Sequence, residues 1–285
     1  MYVTQALHRL VQQEPDRPLT VYQGRVRTVA ESADRVALLA GALRSVGVRD
    51  GDRVGMLSLN SDRFHEFLLA VPWAGAVVNP VNIRWSPAEI AYSLAACDTR
   101  VLLAGDAFAP VTAELRERAP NLAAVIFCGD GPQPGGTLHY EQLLADSSPT
   151  PDARRGGGDL YRVFYTGGTT GTPKGVMLSH GNLLPSSMGA MTHRGPARRG
   201  GRLLQAAPMF HLAAGPAWLG GMFTGCTHVI VAMFTPAAVA AAISEHQVTD
   251  VLLVPTMSQM LIDAPETADA DLTCPHWTNS TPATG

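Results

Sequence analysis

A glycine- and threonine-rich stretch, Tyr165-Thr-Gly-Gly-Thr-Thr-Gly-Thr-Pro-Lys-Gly175, constrains this chain more than any other feature. It lies between two apolar runs, at 160–164 and 176–178. Short apolar runs bounded by turn residues are typical of buried strands. We therefore predict a strand over 160–166, a loop, and a second strand over 175–179.

The composition of the loop indicates a polyphosphate ligand. Glycine lets the backbone come close to a ligand, so that several N–H groups can converge on one anion. Threonine hydroxyls add neutral donors, and Lys174 adds a point charge suited to a phosphate. The alternative is a glycine-rich hairpin or linker that carries one solvated lysine.

The loop is not a Walker P-loop. That motif requires glycine, four residues and then Gly-Lys-Ser/Thr, followed directly by a helix. Here Pro173 precedes the lysine and Gly175 follows it. Proline has no N–H to donate and glycine is a poor helix former, so a kinase-like or GTPase-like loop is excluded.

The order of these residues, continued by Val176-Met-Leu-Ser-His180-Gly-Asn-Leu, resembles the phosphate-binding signature of adenylate-forming enzymes. That superfamily includes acyl-CoA synthetases, luciferases and the adenylation domains of peptide synthetases. Gly168 and the continuation are most similar to fatty-acyl-CoA synthetases. The resemblance covers residues 7–271. It leaves open whether His180 touches the nucleotide or, as we favour, caps a strand or the following helix.

The resemblance implies ATP-dependent activation of a carboxylic acid, by preference a fatty acid, to an acyl-adenylate and then to acyl-CoA. ATP, Mg²⁺ and CoA would be required, with Lys174, Thr166 and His211 in the catalytic site. The nucleotide-binding residues would be Thr166, Gly167, Gly168, Thr169, Thr170, Gly171, Thr172, Lys174 and Gly175.

A second motif, Pro208-Met-Phe-His211, follows a predicted strand at 203–207. It therefore lies at the carboxyl end of that strand, where open α/β sheets bind ligands. The resemblance implies that His211, Gly215, Trp218 and the turn at 254–257 border the acid site. A lone histidine beside apolar residues is more often a core or surface residue, and Trp218 is equally compatible with plain core packing.

Strands and helices alternate along the chain, which predicts an α/β fold with largely parallel sheets covered on both faces. By resemblance this is the N-terminal part of the acyl-CoA synthetase fold, with stacked α/β layers and an incomplete second lobe. We expect one lobe over residues 50–195 and a second over 1–49 plus 200–271. The segment 148–158 is predicted to be a Pro/Gly-rich linker.

Composition excludes several classes of function. The formal net charge of −3 gives no indication of nucleic-acid or anionic-membrane binding. Four scattered cysteines are typical of reduced thiols in a cytoplasmic protein, and nine dispersed histidines predict no metal site. No apolar run reaches the ~18 residues of a membrane helix. We expect no secretory signal, because the first residues lack a basic region followed by an apolar core. The absence of G-x-S-x-G disfavours an esterase.

The end of the sequence departs from the family pattern. No Leu, Ile or Val follows Leu272, so we expect residues 272–285 to be an atypical tail unrelated to the fold. The family's adenine and ribose motifs and its C-terminal lid domain are expected to be absent, so we expect acid activation to be impaired in this chain. An open sheet edge would then favour aggregation or a homodimer.

Two alternatives to fatty-acid activation remain open. One is a non-catalytic remnant that binds nucleotide or an acyl chain. The other is an aryl-acid or amino-acid adenylating enzyme. The segment 210–218 contains no acidic residue that could pair with an ammonium group, which favours an uncharged acid.

Overall fold

The structure is a computed structural model that describes residues 1–166, 173–194, 197–267, 270–273 and 276–279. Within these ranges the α-helices are α1 (Gln5–Gln13), α2 (Val29–Ser45), α3 (Asp62–Trp73), α4 (Pro87–Ala96), α5 (Thr112–Arg118), α6 (Tyr140–Ala145), α7 (His180–Arg194), α8 (Ala214–Thr224), α9 (Pro236–His246) and α10 (Pro255–Asp263). The strands are β1 (Pro18–Tyr22), β2 (Arg25–Thr28), β3 (Arg53–Leu57), β4 (Val77–Pro80), β5 (Thr99–Ala104), β6 (Ala124–Phe127), β7 (Leu138–His139), β8 (Leu160–Thr166), β9 (Lys174–Ser179), β10 (Arg202–Gln205), β11 (Thr227–Ile230), β12 (Asp250–Leu253) and β13 (His276–Asn279).

The chain forms two compact units, and the first contains Met1–His8, Glu31–Leu59 and Arg63–Leu184. Its sheet has the strand order β7-β6-β5-β3-β4-β8-β9. All described neighbours are parallel except β8 and β9, which are antiparallel. Helices α4 and α5 bury an apolar layer against β3, β5 and β6. Parallel strands buried under helices are the predicted α/β class, which is confirmed.

The second unit contains Arg9–Ala30, Asn60–Asp62 and Pro185–Gly285. Its sheet has the order β13-β12-β10-β11-β1-β2 among the described strands, and only the β1–β2 pair is antiparallel. Helices α9 and α10 cover β10, β11 and β12, and the apolar layer between them includes Val239 and Met257 from the helices and Val251 from β12.

Local signals in the sequence define several helix ends. Ser86 caps α4 in a complete capping box with Glu89, and Thr235 caps α9 ahead of Pro236. Gly47 follows α2 with φ of 93°, a left-handed conformation that favours glycine. These helices were predictable because their caps depend only on residues close in the chain.

The segment 148–158 is fixed along the first unit and is not a free linker. The Thr150 N–H donates to the carbonyl of Ala37 (3.1 Å), and Trp73 Nε1 donates to the carbonyl of Thr150 (2.8 Å). The carboxylate of Asp152 accepts from Thr4 Oγ1 at 2.6 Å and lies 2.7 Å from His8 Nε2. Proline and glycine indicated the irregular backbone but not these distant partners.

The predicted lobe boundaries differ from the two units. Residues 31–49 were assigned to the second lobe, but α2 bonds within the first unit through Arg35 and through the Ala37 carbonyl. The apolar periodicity of a helix shows that one face is buried but does not show which sheet buries it.

The expectation of a tail at 272–285 that is unrelated to the fold is wrong at two places. Leu272 packs against the apolar core of the second unit, and β13 pairs in parallel with β12. An edge strand is held by backbone hydrogen bonds, so the lack of aliphatic residues did not prevent strand formation. Residues 280–285 lie outside the described part of the chain.

A buried ionic network ties α2, α3 and α6 together in the first unit. The guanidinium of Arg35 contacts both oxygens of Glu66 at 2.6 and 3.0 Å and also pairs with Glu141 at 2.8 Å. The hydroxyl of Tyr140 donates to Glu66 at 2.5 Å. The side chain of Glu66 is only 2% exposed, so its charge depends on these partners.

We predict that Arg35→Met lowers the free energy of unfolding by about 3–5 kcal/mol, because it leaves the Glu66 carboxylate buried without its cation. Urea denaturation measures the loss. The matched control is Arg118→Met, which removes an arginine from an exposed pair with Glu114 and should cost less than about 1 kcal/mol. Equal losses in the two variants would show that the Arg35 network does not stabilise the unit.

Candidate functional site

The glycine- and threonine-rich stretch connects β8 to β9 as predicted. Thr166 ends β8, Lys174 begins β9, and the antiparallel register places these two residues opposite each other. Thr166 Oγ1 donates to the carbonyl of Lys174 at 3.4 Å, and both residues are exposed. We call this pair the hairpin mouth. It brings a hydroxyl and an ammonium group to the two ends of one loop.

The predicted nucleotide-binding residues are only partly described. Thr166 and Lys174 form the hairpin mouth, Gly175 follows directly, and all three residues are exposed. Outside the described residues lie Gly167, Gly168, Thr169, Thr170, Gly171 and Thr172.

Gly175 allows close packing against β8. A Cβ atom at this position would lie 3.3 Å from Tyr165 Cζ and 3.3 Å from Val163 Cγ1, closer than is usual for such contacts. The Tyr165 ring, in turn, meets the Trp85 ring edge-on, with centroids 6.0 Å apart. The aromatic pair therefore packs beside the hairpin mouth, and a side chain at residue 175 would push Tyr165 away from Gly175.

A polar cluster supports Tyr165. Asn79 Nδ2 donates to Cys97 Sγ at 3.2 Å and to Thr99 Oγ1 at 3.0 Å. Burial raises the pKa of the Tyr165 hydroxyl, and the neighbouring Cys97 thiol, which hydrogen bonds to it, raises the pKa further. The hydroxyl therefore ionises only at a higher pH than that of an ordinary tyrosine. The sequence analysis missed Asn79, Trp85 and Cys97, since their contacts join segments far apart in the chain.

His180 is a structural residue. Its Nδ1 accepts from the N–H of Val3 at 3.2 Å, and its own N–H donates to the carbonyl of Asp159 at 3.0 Å. The residue is 1% exposed, and burial lowers its pKa to about 4. The cap at the start of α7 comes from Ser179, whose hydroxyl accepts from the Asn182 N–H. His180 thus holds the N-terminal segment and does not itself cap the helix.

In the second unit His211 follows β10, at the carboxyl end of that strand as expected. Its N–H donates to the carbonyl of Pro208 at 3.0 Å, so the motif forms a tight turn before α8. Phe210 is 4% exposed, whereas His211 is exposed, and the two ring centroids lie 5.1 Å apart. The turn therefore anchors an aromatic ring in the core and leaves the imidazole accessible.

Gly215 and Trp218 lie on the first half of α8. Gly215 is half-buried, and its N–H donates to the carbonyl of Leu212 at 3.0 Å. Trp218 is 2% exposed, and its ring centroid lies 6.5 Å from that of His228. His228 lies 3.0 Å from the side-chain nitrogen of Gln205. Trp218 thus contributes to the core of this unit, one of the two interpretations that the sequence allowed.

The part of the chain that the structure describes has no group of three His, Cys, Asp or Glu residues placed to hold a metal ion. Among the same residues, every helix is too short or too polar to cross a bilayer.

Lys174 is unusual in the composition of the chain. It is the only lysine in the 285 residues, and the rest of the 21 Lys and Arg residues are arginines.

A family model described as AMP-binding enzyme matches residues 7–277, nearly the whole chain. The chain belongs to the AMP-binding enzyme family. The resemblance based on the motif at 165–175 is thereby confirmed. The loop at the hairpin mouth is the segment that carried this resemblance.

Relatives in the AMP-binding family differ in the acids they are named for. A feruloyl-CoA synthase of Amycolatopsis is 37% identical over 93% of this chain and 51% of its own length. A long-chain-fatty-acid–CoA ligase of Thermus thermophilus is 34% identical over 83% of this chain and 43% of its own length. The chain thus spans about half of each.

Among solved structures, the inhibitor-bound N-terminal domain of FACL13 from Mycobacterium tuberculosis superposes with a TM-score of 0.85 at 25% identity. The match covers 98% of this chain and 69% of that domain. The observed units therefore correspond to the N-terminal part of an acyl-CoA ligase fold.

We predict that the protein loses stability on acidification from pH 6.5 to 4. Burial lowers the pKa of His65 to about 3 and that of His180 to about 4, from an ordinary value of 6.5. Between pH 6.5 and pH 4 the two histidines are protonated in the unfolded chain but not in the folded chain. The free energy of unfolding therefore falls as the pH falls. The slope should reach about 2.7 kcal/mol per pH unit.

Urea denaturation at a series of pH values measures this slope. His180→Asn removes one of the two protonation sites and should reduce the slope by about half. The core truncation Leu39→Ala, which deletes no titrating group, should lower stability at every pH and leave the slope unchanged. A slope unaffected by His180→Asn would contradict the assignment.

Proposed function

We propose that this chain carries the ATP-dependent activation of a carboxylic acid, as the nucleotide- and acid-binding part of an acid–CoA ligase. The observation that carries the proposal is the hairpin mouth, where Thr166 and Lys174 lie opposite each other at the ends of the loop. An exposed ammonium group and hydroxyl donors at a glycine-rich loop suit the phosphates of ATP.

The reaction has two steps. A carboxylate oxygen of the acid attacks the α-phosphorus of ATP, and pyrophosphate leaves to give the acyl-adenylate. The sulfur of CoA then attacks the acyl carbonyl carbon, and AMP leaves as the thioester forms. Negative charge develops on the pyrophosphate in the first step only, so donors that hold the β- and γ-phosphates accelerate adenylation selectively.

The residues of this chain act by binding and orientation. Thr166 and Lys174, with the N–H groups of residues 167–171, would hold the β- and γ-phosphates, and His211 would position the acid. Mg²⁺, when bound, would neutralise part of the phosphate charge. At the hairpin mouth, the hydroxyl oxygen of Thr166 could serve as one of its ligands. The phosphate oxygens of ATP would supply further ligands, since Mg²⁺ commonly binds substrate phosphates.

The use of a single lysine supports the role of Lys174. All the remaining Lys and Arg residues of the chain are arginines, although arginine and lysine are comparable as solvated surface charges. A compact ammonium group on a flexible stem differs from a planar guanidinium in how it meets a phosphate. The exception to the arginine pattern falls at the position where the phosphates would bind.

Two classes of acid are supported by different observations. The feruloyl-CoA synthase of Amycolatopsis is more similar to this chain than the Thermus fatty-acid ligase, which favours an aryl acid. The fatty acid inferred from the phosphate-loop residues remains the second candidate. Both acids are uncharged beyond the carboxylate, in agreement with the absence of acidic residues at 210–218.

The experiment that tests the proposal is pyrophosphate release from ATP by the purified chain with ferulate, a long-chain fatty acid and an amino acid. Slow release that depends on ferulate or on the fatty acid is expected, and it names the class of acid. No release with any acid, from protein shown to be folded by circular dichroism, would contradict activity of this chain and favour a binding remnant.

For the nucleotide role, we predict that Lys174→Ala slows adenylation by about 10²–10³-fold, because one donor to the developing phosphate charge is lost. Thioester formation from preformed acyl-adenylate should change by less than about threefold, since no pyrophosphate is present. Single-turnover measurements separate the two steps. Arg118→Ala, at an exposed pair away from the loop, is the control. Equal slowing of both steps would contradict the assignment.

A further inference from the structure

Asn60 is a buried residue of the second unit that the sequence analysis did not select. It lies between β3 and α3 and is 4% exposed. Its side-chain Nδ2 donates to the carbonyl of Ala207 at 3.0 Å and to that of Gln205 at 3.3 Å. Its Oδ1 accepts from the N–H of Met209 at 2.7 Å. One amide group therefore bonds to three alternate residues, from the last residue of β10 into the loop that follows it.

The backbone of Asn60 is fixed as well. Its N–H donates to the carbonyl of Ala232, two residues beyond β11, at 3.0 Å. The residue is thus attached to the sheet on one side and to the loop after β10 on the other. A carboxamide can do this because it supplies two N–H donors and an acceptor oxygen on one rigid plane.

These bonds reach the segment that places His211. Met209, whose N–H bonds to Asn60, lies inside the turn closed by the bond from the His211 N–H to the Pro208 carbonyl. Next to it, Phe210 points into the core while His211 is exposed. Holding the Met209 N–H therefore fixes the direction of the neighbouring imidazole, although Asn60 does not touch it.

We propose that Asn60 is a positioning residue for the acid site, fixing the turn at 208–211 so that His211 faces the substrate. The part of this inference that concerns the acid rests on the proposed function. The part that concerns the turn rests on the hydrogen bonds alone. The alternative is that Asn60 only contributes to the overall stability of the unit.

Amide hydrogen exchange followed by NMR tests the effect on the turn. Asn60→Ala should speed exchange at the Met209 and His211 amides by about tenfold or more, the equivalent of one lost hydrogen bond. The control is Val239→Ala, a truncation in the apolar core of the same unit. The two variants are compared at urea concentrations that give equal overall stability. Equal exchange at Met209 in both would overturn the inference.

Acid-dependent ATP–pyrophosphate exchange with ferulate tests the role in the acid site. Asn60→Ala should raise the KM for ferulate by about tenfold while the KM for ATP changes by less than about twofold. Loss of stability alone would lower the amount of active protein without separating the two constants. Equal changes in both KM values would overturn the positioning role.

The two proposals fail in different ways. If the wild-type chain shows no exchange activity with any acid, the proposed function is contradicted, and the hydrogen-exchange comparison still decides whether Asn60 fixes the turn. If the wild type is active and Asn60→Ala has unchanged KM values and unchanged exchange at Met209, the proposed function stands and the inference about Asn60 is overturned.

Discussion

The antiparallel pairing of β8 and β9 is the interaction on which the proposed chemistry depends. Every other described pair in the first unit's sheet is parallel, and parallel strands need a long crossover between them. The one antiparallel pair allows a short loop to begin and end at the same point. Thr166 and Lys174 meet there because of the register. Gly175, the next residue, lets Tyr165 pack closely, since a Cβ atom at residue 175 would lie only 3.3 Å from the Tyr165 ring.

Buried polar side chains fix segments that have no regular structure of their own. Asp152 bonds to Thr4 and His8 and holds the segment at 148–158, and Asn60 does the same for the turn before α8. Buried polar groups are costly unless each finds a partner, so such residues specify one backbone arrangement. The first segment precedes β8, the strand that leads into the glycine- and threonine-rich loop. The turn contains His211 itself.

The sequence allowed the fold class, the strands around the loop and the position of His211 after a strand to be predicted, because these depend on local patterns of apolar and turn residues. It did not reveal the partners of Asn60, since Gln205 lies 145 residues away and no periodicity links them. The assignment of α2 to the first unit and the pairing of β13 were missed for the same reason. Both depend on which distant backbone offers a complementary surface.

The central claim is that Lys174 binds the phosphates of ATP, and the single lysine of the chain permits a direct measurement. Acetic anhydride can acetylate only Lys174 and the N-terminal amine among the aliphatic amines of this sequence, and mass spectrometry quantifies the two separately. We expect MgATP to slow acetylation of Lys174 by at least about tenfold with saturation, since the bound ammonium must be released first. Adenosine should give no protection, and the N-terminal amine serves as the internal reference. Acetylation of Lys174 at the same rate with and without MgATP would contradict the account.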